Sequence, residues 1–347
     1  MITRITQNAV NRMYNRNYSN NLTSMTDLMN KISAQRKFTR ASENPISAAR
    51  ALAVRKSMAD VSTYQSNLSS AKQLFRTAES VLREDINDVC KKVITKVEMA
   101  CNDPSANKEE RQILGHELRG IADDLIKSMN SDYADRRLFG GTNNSEDILP
   151  FSTEKDANGR TVVLYNGENV NNYSNPDDFP FSKPIFSDIG IGIKYDATGN
   201  VDPDTAMDVS LNGAELTGCG EGKWKSASGT EYTLANNFIQ LVYDAADAAE
   251  SGNTEKLNAM LDAFGSAQST ILMGITSLGV KQETVDYNIT RFEEYNYNLS
   301  EAQLNLEGMS EEDLAKAITE WKSLDAAYNA VLSMSSKVIP NSVWDFM

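Results

Sequence analysis

The feature of this sequence that most limits its fold is a seven-residue repeat of apolar side chains near both ends. The spacing alternates between three and four residues, as in helices that pack along a narrow coiled-coil seam. Because the two ends match in length and in type of repeat, we expect them to pack together. The predicted interface comprises Leu22, Met25, Met29 and Ile32 with Leu314, Trp321, Leu324 and Tyr328, and the repeats continue through Tyr18, Ala317 and Val331.

Further repeats lie between these ends and predict a long helical bundle. They run from Met58 to Val89, from Leu114 to Leu125 and from Val285 to Leu306. Asn296 and Gln303 occupy seam positions of the last repeat, where a polar side chain fixes register at some cost in stability. Stripes of this kind are also typical of an ordinary helical bundle, so that alternative stays open.

Proline and glycine are concentrated in the middle of the chain. Five of the eight prolines lie between 150 and 203, and twelve of the 19 glycines lie between 140 and 229. Both residues disfavour helix interiors. The central region instead carries strand-like runs at Thr161–Tyr165 and Ile185–Tyr195. The predicted fold class is therefore mainly α, with a β-rich domain inserted at the tip.

Capping signals locate the breaks between helices. Asn44 followed by Pro45 predicts an N-cap and a first-turn proline, so a helix begins there after a bend. Gly308 followed by Ser310 and three acidic residues predicts a stop and a restart. These breaks give nested domains. They are a terminal coiled coil (1–43 with 308–347), a helical bundle (44–145 with 232–307) and a β-rich insert (146–231).

Composition argues against several functional classes. The 48 acidic and 34 basic residues give a net charge of −14, which repels phosphate backbones and disfavours nucleic acid as a partner. No stretch of about 20 apolar residues is present, so we expect no membrane insertion. The first residues of the sequence lack the apolar core of a general secretory signal, so we do not expect one. The single histidine, His116, excludes zinc sites that need two, and a pairing with Cys90 is the remaining route to a nucleophile. We predict no catalysis, no cofactor and no metal.

Two other motifs resemble ligand-binding loops only in part. The run Gly218–Lys223 lacks the first glycine and the Ser or Thr of a phosphate-binding loop, which favours a turn. An acidic cluster at Asp196, Asp202, Asp204 and Asp208 lacks the glycine and terminal glutamate of an EF-hand, so turn roles are favoured over calcium binding.

Several segments resemble the flagellin superfamily and, within it, the hook–filament junction proteins known as hook-associated protein 3. The segment Ile32–Ile46 is similar to the one that joins the two terminal domains in that family, with Gln35 where the family usually has glycine. Its bend residues are Arg40, Ser42, Glu43, Asn44 and Pro45. The other similar segments are Arg136–Thr142, Leu149–Phe151, Tyr165–Glu168 and Leu324–Tyr328.

The resemblance implies an extracellular structural subunit of the bacterial flagellum. Such proteins are exported unfolded through the type III export apparatus with the help of a chaperone. They polymerise in a ring next to another hook-associated protein and flagellin. In the C-terminal tail, Trp344 and Phe346 are candidates for docking to the chaperone or to a neighbour. Two alternatives stay open, namely flagellin itself and an intracellular coiled-coil scaffold.

Overall fold

The chain is helical towards both ends and carries short strands in its middle, so the predicted fold class is confirmed. The computed structural model describes residues 7–102, 108–134, 136–143, 145, 147–157, 159–190, 192–202 and 205–338. The helices are α1 (Gln7–Ala34), α2 (Pro45–Ser80), α3 (Asp88–Asn102), α4 (Lys108–Met129), α5 (Gly213–Thr217), α6 (Phe238–Ser251), α7 (Thr254–Glu307) and α8 (Glu311–Val338).

Short antiparallel strand pairs make up the β structure. The longer hairpins pair β3 with β4 and β8 with β9, and β5 extends the first of them. The strands are β1 (Asp132–Tyr133), β2 (Arg136–Arg137), β3 (Phe151–Lys155), β4 (Thr161–Tyr165), β5 (Glu168–Asn169), β6 (Phe186–Ser187), β7 (Met207–Asp208), β8 (Glu221–Lys225) and β9 (Glu231–Ala235).

The structure separates two compact units. One contains the described residues up to Ser62 and from Glu293 onwards, and the other is Thr63–Phe292. The boundaries fall inside α2 and α7, so both helices contribute residues to both units. The finer three-part division, with boundaries at 43/44, 145/146, 231/232 and 307/308, stays a prediction.

The unit Thr63–Phe292 has its core around α6, which is apolar on nearly all sides. Asn237 caps the start of this helix by accepting a hydrogen bond from the Gln240 amide at 3.0 Å, and Gly252 ends it in the left-handed conformation at φ 70°. A helix that is hydrophobic all round is a buried core helix. The fully buried side chains around it include Phe238, Phe264, Leu118, Leu125 and Met129.

Ion pairs connect α6 to its neighbours in the same unit. The Arg119 guanidinium in α4 donates to Asp247 at 2.7 Å and also to Glu250. Arg160, just before β4, donates to both carboxylate oxygens of Asp244, whose side chain is 2% exposed. A nearly buried carboxylate needs such a partner, because an unpaired buried charge is costly. Arg160 thereby fixes the first hairpin against the helical core.

One predicted strand is largely wrong. Among the described residues of the run Ile185–Tyr195, only Phe186–Ser187 pairs as a strand, β6, and Tyr195 forms an isolated bridge to Val201. The backbone leaves the extended conformation at Gly190 and Gly192, with φ of 79° and 87°. Asp188 Oδ1 accepts a hydrogen bond from the Gly190 amide at 2.8 Å, which makes a local turn. The predicted strand Thr161–Tyr165 is confirmed as β4.

We predict that Phe264→Ala lowers the free energy of unfolding by about 3–5 kcal/mol. The ring is fully buried and meets Phe238 edge-on, with centroids 5.9 Å apart. Ile113, which is 67% exposed, provides the control, and Ile113→Ala should change stability by less than about 0.5 kcal/mol. Urea denaturation followed by far-UV circular dichroism measures both, and equal effects would contradict the assigned core.

Candidate assembly interface at the paired chain ends

The first and last helices, α1 and α8, pack against each other in antiparallel orientation. At one end the Met309 amide donates to the Gln35 carbonyl at 2.9 Å, and Arg36 forms an antiparallel bridge with Gly308. Further along, the hydroxyls of Tyr18 and Tyr328 are hydrogen-bonded at 3.2 Å, and their ring centroids are 5.4 Å apart. The terminal helices therefore pair within a single chain.

On α8 the structure buries or half-buries the side chain at each seam position from Leu314 to Val331. Ala317 is 6% exposed, whereas Ile318 beside it is 38% exposed. Between those positions Trp321, Leu324 and Tyr328 are half-buried. These side chains occupy the one face of α8 that the period of 3.5 residues selects.

On α1 the seam differs from the predicted one at two positions. Met25 and Ile32 are half-buried, but Leu22 and Met29 are 38% and 60% exposed. Within one chain α8 thus leaves Leu22 and Met29 uncovered, and their place in the terminal interface stays a prediction. Positions 18, 25 and 32 lie seven residues apart on one face of α1. Either positions 21 and 28 or positions 22 and 29 can complete the spacing of three and four residues between them. Packing against α8 determines which of these two sets is covered. The half-buried side chains of α1 are Asn11, Tyr14, Tyr18, Asn21, Met25, Asp27, Leu28, Lys31 and Ile32.

The seam is rich in polar groups. Tyr14, Tyr18 and Asn21 occupy positions that an ordinary coiled coil gives to aliphatic residues. Among the described residues, Asn11 Oδ1 and Trp321 Nε1 are buried and have no hydrogen-bond partner. Each buried polar atom without a partner costs about 1–3 kcal/mol. The α1–α8 pair is therefore a weak helix pair in the isolated chain.

The bend between α1 and α2 is held by local polar contacts. Asn44 Oδ1 accepts from the Ser47 amide at 3.1 Å, and Pro45 is the first residue of α2, which confirms the predicted cap. The Glu43 carboxylate accepts from Lys31 at 2.9 Å and from the Thr39 amide, and Lys31 lowers the pKa of Glu43. Arg40 pairs with Asp27 at 3.3 Å, while Ser42 lies exposed in the turn.

Gln35 adopts a left-handed backbone conformation, with φ of 53°. This conformation costs a residue with a side chain about 1–2 kcal/mol, but it costs glycine almost nothing. A glycine at this position would therefore relieve the strain. Here the strained residue also presents the carbonyl that accepts from Met309.

A second set of contacts ties the bend to the end of α7. The Lys37 amide donates to the Glu307 carbonyl at 2.7 Å, and the Arg55 guanidinium donates to the Glu307 carboxylate at 2.6 Å. The Glu307 side chain is only 7% exposed, so this charge depends on Arg55. No sequence signal indicates this pair, because its members are 252 positions apart.

The start of α8 is a reciprocal capping box. Ser310 Oγ accepts from the Asp313 amide at 3.1 Å, and Asp313 Oδ2 accepts from the Ser310 amide at 3.2 Å. The hydrogen bonds from Ser310 lower the pKa of Asp313. The predicted stop and restart is confirmed, since α7 ends at Glu307 and α8 begins at Glu311.

The remaining candidate residues lie apart from this interface. Cys90 is buried on α3, and burial raises its pKa to about 12, so its thiol stays protonated at neutral pH. His116 lies on the exposed face of α4. Asp196 accepts from the amides of Thr198 and Asn200, as a turn residue does.

Two absences hold for the described part of the chain. Within residues 7–338, less the masked positions, the structure contains no cluster of three His, Cys, Asp or Glu residues that could hold a metal. None of the helices it describes is long and apolar enough to cross a membrane. Asp204, Trp344 and Phe346 lie outside the described residues.

Comparison with known proteins bears on the N-terminal part of the chain. Residues 5–144 match the family model described as the bacterial flagellin N-terminal helical region. This matched part is similar to that helical region of flagellin. It includes α1, the bend and α2, so the predicted resemblance to the flagellin superfamily is confirmed there.

Solved structures with a similar fold are named as flagellar hook-associated proteins. One from Vibrio parahaemolyticus has a TM-score of 0.55 and 17% identity, and the match covers 77% of this chain and 100% of that one. Hook-associated protein 3 from Legionella pneumophila has a TM-score of 0.51 and 14% identity, with 73% and 98% covered. At these identities the likeness is one of fold. No curated protein sequence matches the chain.

We predict that Met25→Ala and Met29→Ala have different effects on the α1–α8 pair. Met25 is half-buried, so its truncation should weaken the pairing by about 1–2 kcal/mol, whereas Met29 is 60% exposed and its truncation should cost less than about 0.5 kcal/mol. Limited trypsin digestion at Arg12 and Arg16 should therefore become roughly 5–30 times faster in Met25→Ala only. Equal rates for the two variants would contradict the observed seam.

Proposed function

We propose that this chain is a structural, non-catalytic subunit of the bacterial flagellum that forms the junction between hook and filament. In this proposal it is exported unfolded and polymerises through its terminal helices outside the cell. The observation that carries the proposal is the pairing of the two chain ends at α1 and α8, in a chain whose first part is a flagellin-type region. The likeness in fold to hook-associated proteins supports the junction over other sites on the flagellum.

The weakness of the α1–α8 seam supports polymerisation through these helices. Leu22 and Met29 on α1 and Leu332 and Met334 on α8 are exposed in the single chain. Apolar side chains on helices with a narrow seam gain most when further helices cover them. In the proposed ring, neighbouring copies cover these residues, and the predicted roles of Leu22 and Met29 are then contacts between subunits.

The chemistry of the chain is compatible with export in an unfolded state. Cys90, Cys101 and Cys219 are free thiols, so unfolding breaks no disulfide among them. We propose that the type III export apparatus carries the chain and that a chaperone binds it beforehand. Trp344 and Phe346 remain the proposed docking residues for that chaperone or for a neighbouring subunit. In the assembled flagellum the neighbours are another hook-associated protein and flagellin.

Flagellin itself is the second candidate function, and the description of the matching family model favours it. The two candidates differ in where the subunit lies and in how many copies are present. An intracellular coiled-coil scaffold is the third and most distant candidate.

Immunogold labelling of isolated flagella distinguishes these three functions. For a junction protein we expect a single gold band between hook and filament in electron micrographs. Labelling along the whole filament would make the chain a flagellin, and an unlabelled flagellum with label inside the cell would favour the scaffold. Flagella from a strain that lacks the gene are the control for antibody specificity.

A further inference from the structure

Arg136 differs from three other arginines of the same unit. Arg119, Arg137 and Arg160 each donate to at least one carboxylate, and the Arg137 pair with Asp132 uses both carboxylate oxygens at 2.9 Å. The Arg136 side chain is half-buried and forms no ion pair or hydrogen bond with any described residue, while its backbone pairs with Tyr133 across β1–β2. Burial lowers its pKa, and no charge among the described residues offsets this effect. A guanidinium nonetheless stays charged at neutral pH.

The side chain lines a groove of about 250 Å³ beside the short hairpin β1–β2. Ala71 and Leu74 of α2 and Val209 form the apolar part of the groove, and Tyr133 lies next to Arg136. The hairpin turn contains Ala134 in the left-handed conformation at φ 51°, which is unfavourable for alanine. The fold thus holds a partly desolvated cation in a mostly apolar groove, at some cost in stability.

An unpaired, partly desolvated charge is destabilising unless a partner neutralises it. The group that best satisfies a guanidinium is a carboxylate, which can accept two parallel hydrogen bonds. With 48 acidic residues against 34 basic ones, the surface of another copy of this chain offers many carboxylates and is complementary in charge to this groove. Resting on the proposed polymerisation, we propose that the groove receives an acidic side chain from the neighbouring subunit.

The contact explains why a charge occupies a position where an apolar side chain would pack better. In the free chain Arg136 is partly desolvated and has no side-chain partner among the described residues, and in the assembled form it gains a charge-assisted hydrogen bond. Because that bond forms in a desolvated groove, it is stronger than an exposed surface ion pair. The partial desolvation of Arg136 thus destabilises the free subunit, and the hydrogen bond formed on assembly offsets this effect.

The first test compares Arg136→Gln with Arg137→Gln in the full chain. Loss of Arg136 should leave the melting temperature of the free subunit unchanged or raise it, and should reduce the amount incorporated into flagella by about tenfold or more. The control substitution removes an ion pair with the half-exposed Asp132, and incorporation should stay within about twofold of wild type. Normal incorporation of Arg136→Gln would overturn the proposal.

The second test identifies the partner chemically. Arg136→Lys keeps the charge and supplies an amine, which a zero-length carbodiimide couples to any carboxylate in contact with it. In isolated flagella we expect mass spectrometry to find Lys at position 136 joined to an Asp or Glu of another copy, with Arg137→Lys as the control that gives no such product. Coupling to a different flagellar protein, or no coupling in flagella that contain the chain, would overturn the inference alone. Absence of the wild-type chain from flagella would overturn the proposed function together with it.

Discussion

The structure depends on the pairing of α1 with α8, because neither helix can bury its apolar seam alone. A helix with an apolar seam only two side chains wide cannot bury that seam in water without a second helix. In this chain the second helix lies at the other end of the sequence, and the hydrogen bond between Tyr18 and Tyr328 joins residues 310 positions apart. All the other helices and strands therefore lie, in sequence, between two helices that pair with each other.

The bend and the restart of α8 set the register of that pairing. Gln35 and Met309 meet because α1 ends at Ala34 and α7 ends at Glu307, and the Ser310–Asp313 capping box begins α8 in the right place. Arg55 then fixes the buried Glu307 carboxylate close to the same point. Strain at Gln35 shows that the geometry of this connection is maintained even where the local residue disfavours it.

Sequence reasoning succeeds where a single helix carries its own signal. The caps at Asn44 and Ser310 and the seam of α8 follow from local patterns that tertiary packing does not need to alter. The spacing of α1 is less decisive, because two sets of positions fit between residues 18, 25 and 32. Packing against α8 leaves Leu22 and Met29 exposed in the single chain, so a partner helix determines which set is covered. The pair Arg55–Glu307 and the unpaired Arg136 have no sequence signal, since both result from folding that brings distant segments together.

Hydrogen exchange of backbone amides in the free and assembled chain tests the central claim most directly. If terminal pairing is weak alone and completed by neighbours, α1 and α8 should exchange quickly in the free subunit and at least about a hundredfold more slowly in flagella, while α6 is protected in both. Protection of α1 and α8 that is already complete in the free subunit and unchanged on assembly would contradict the account.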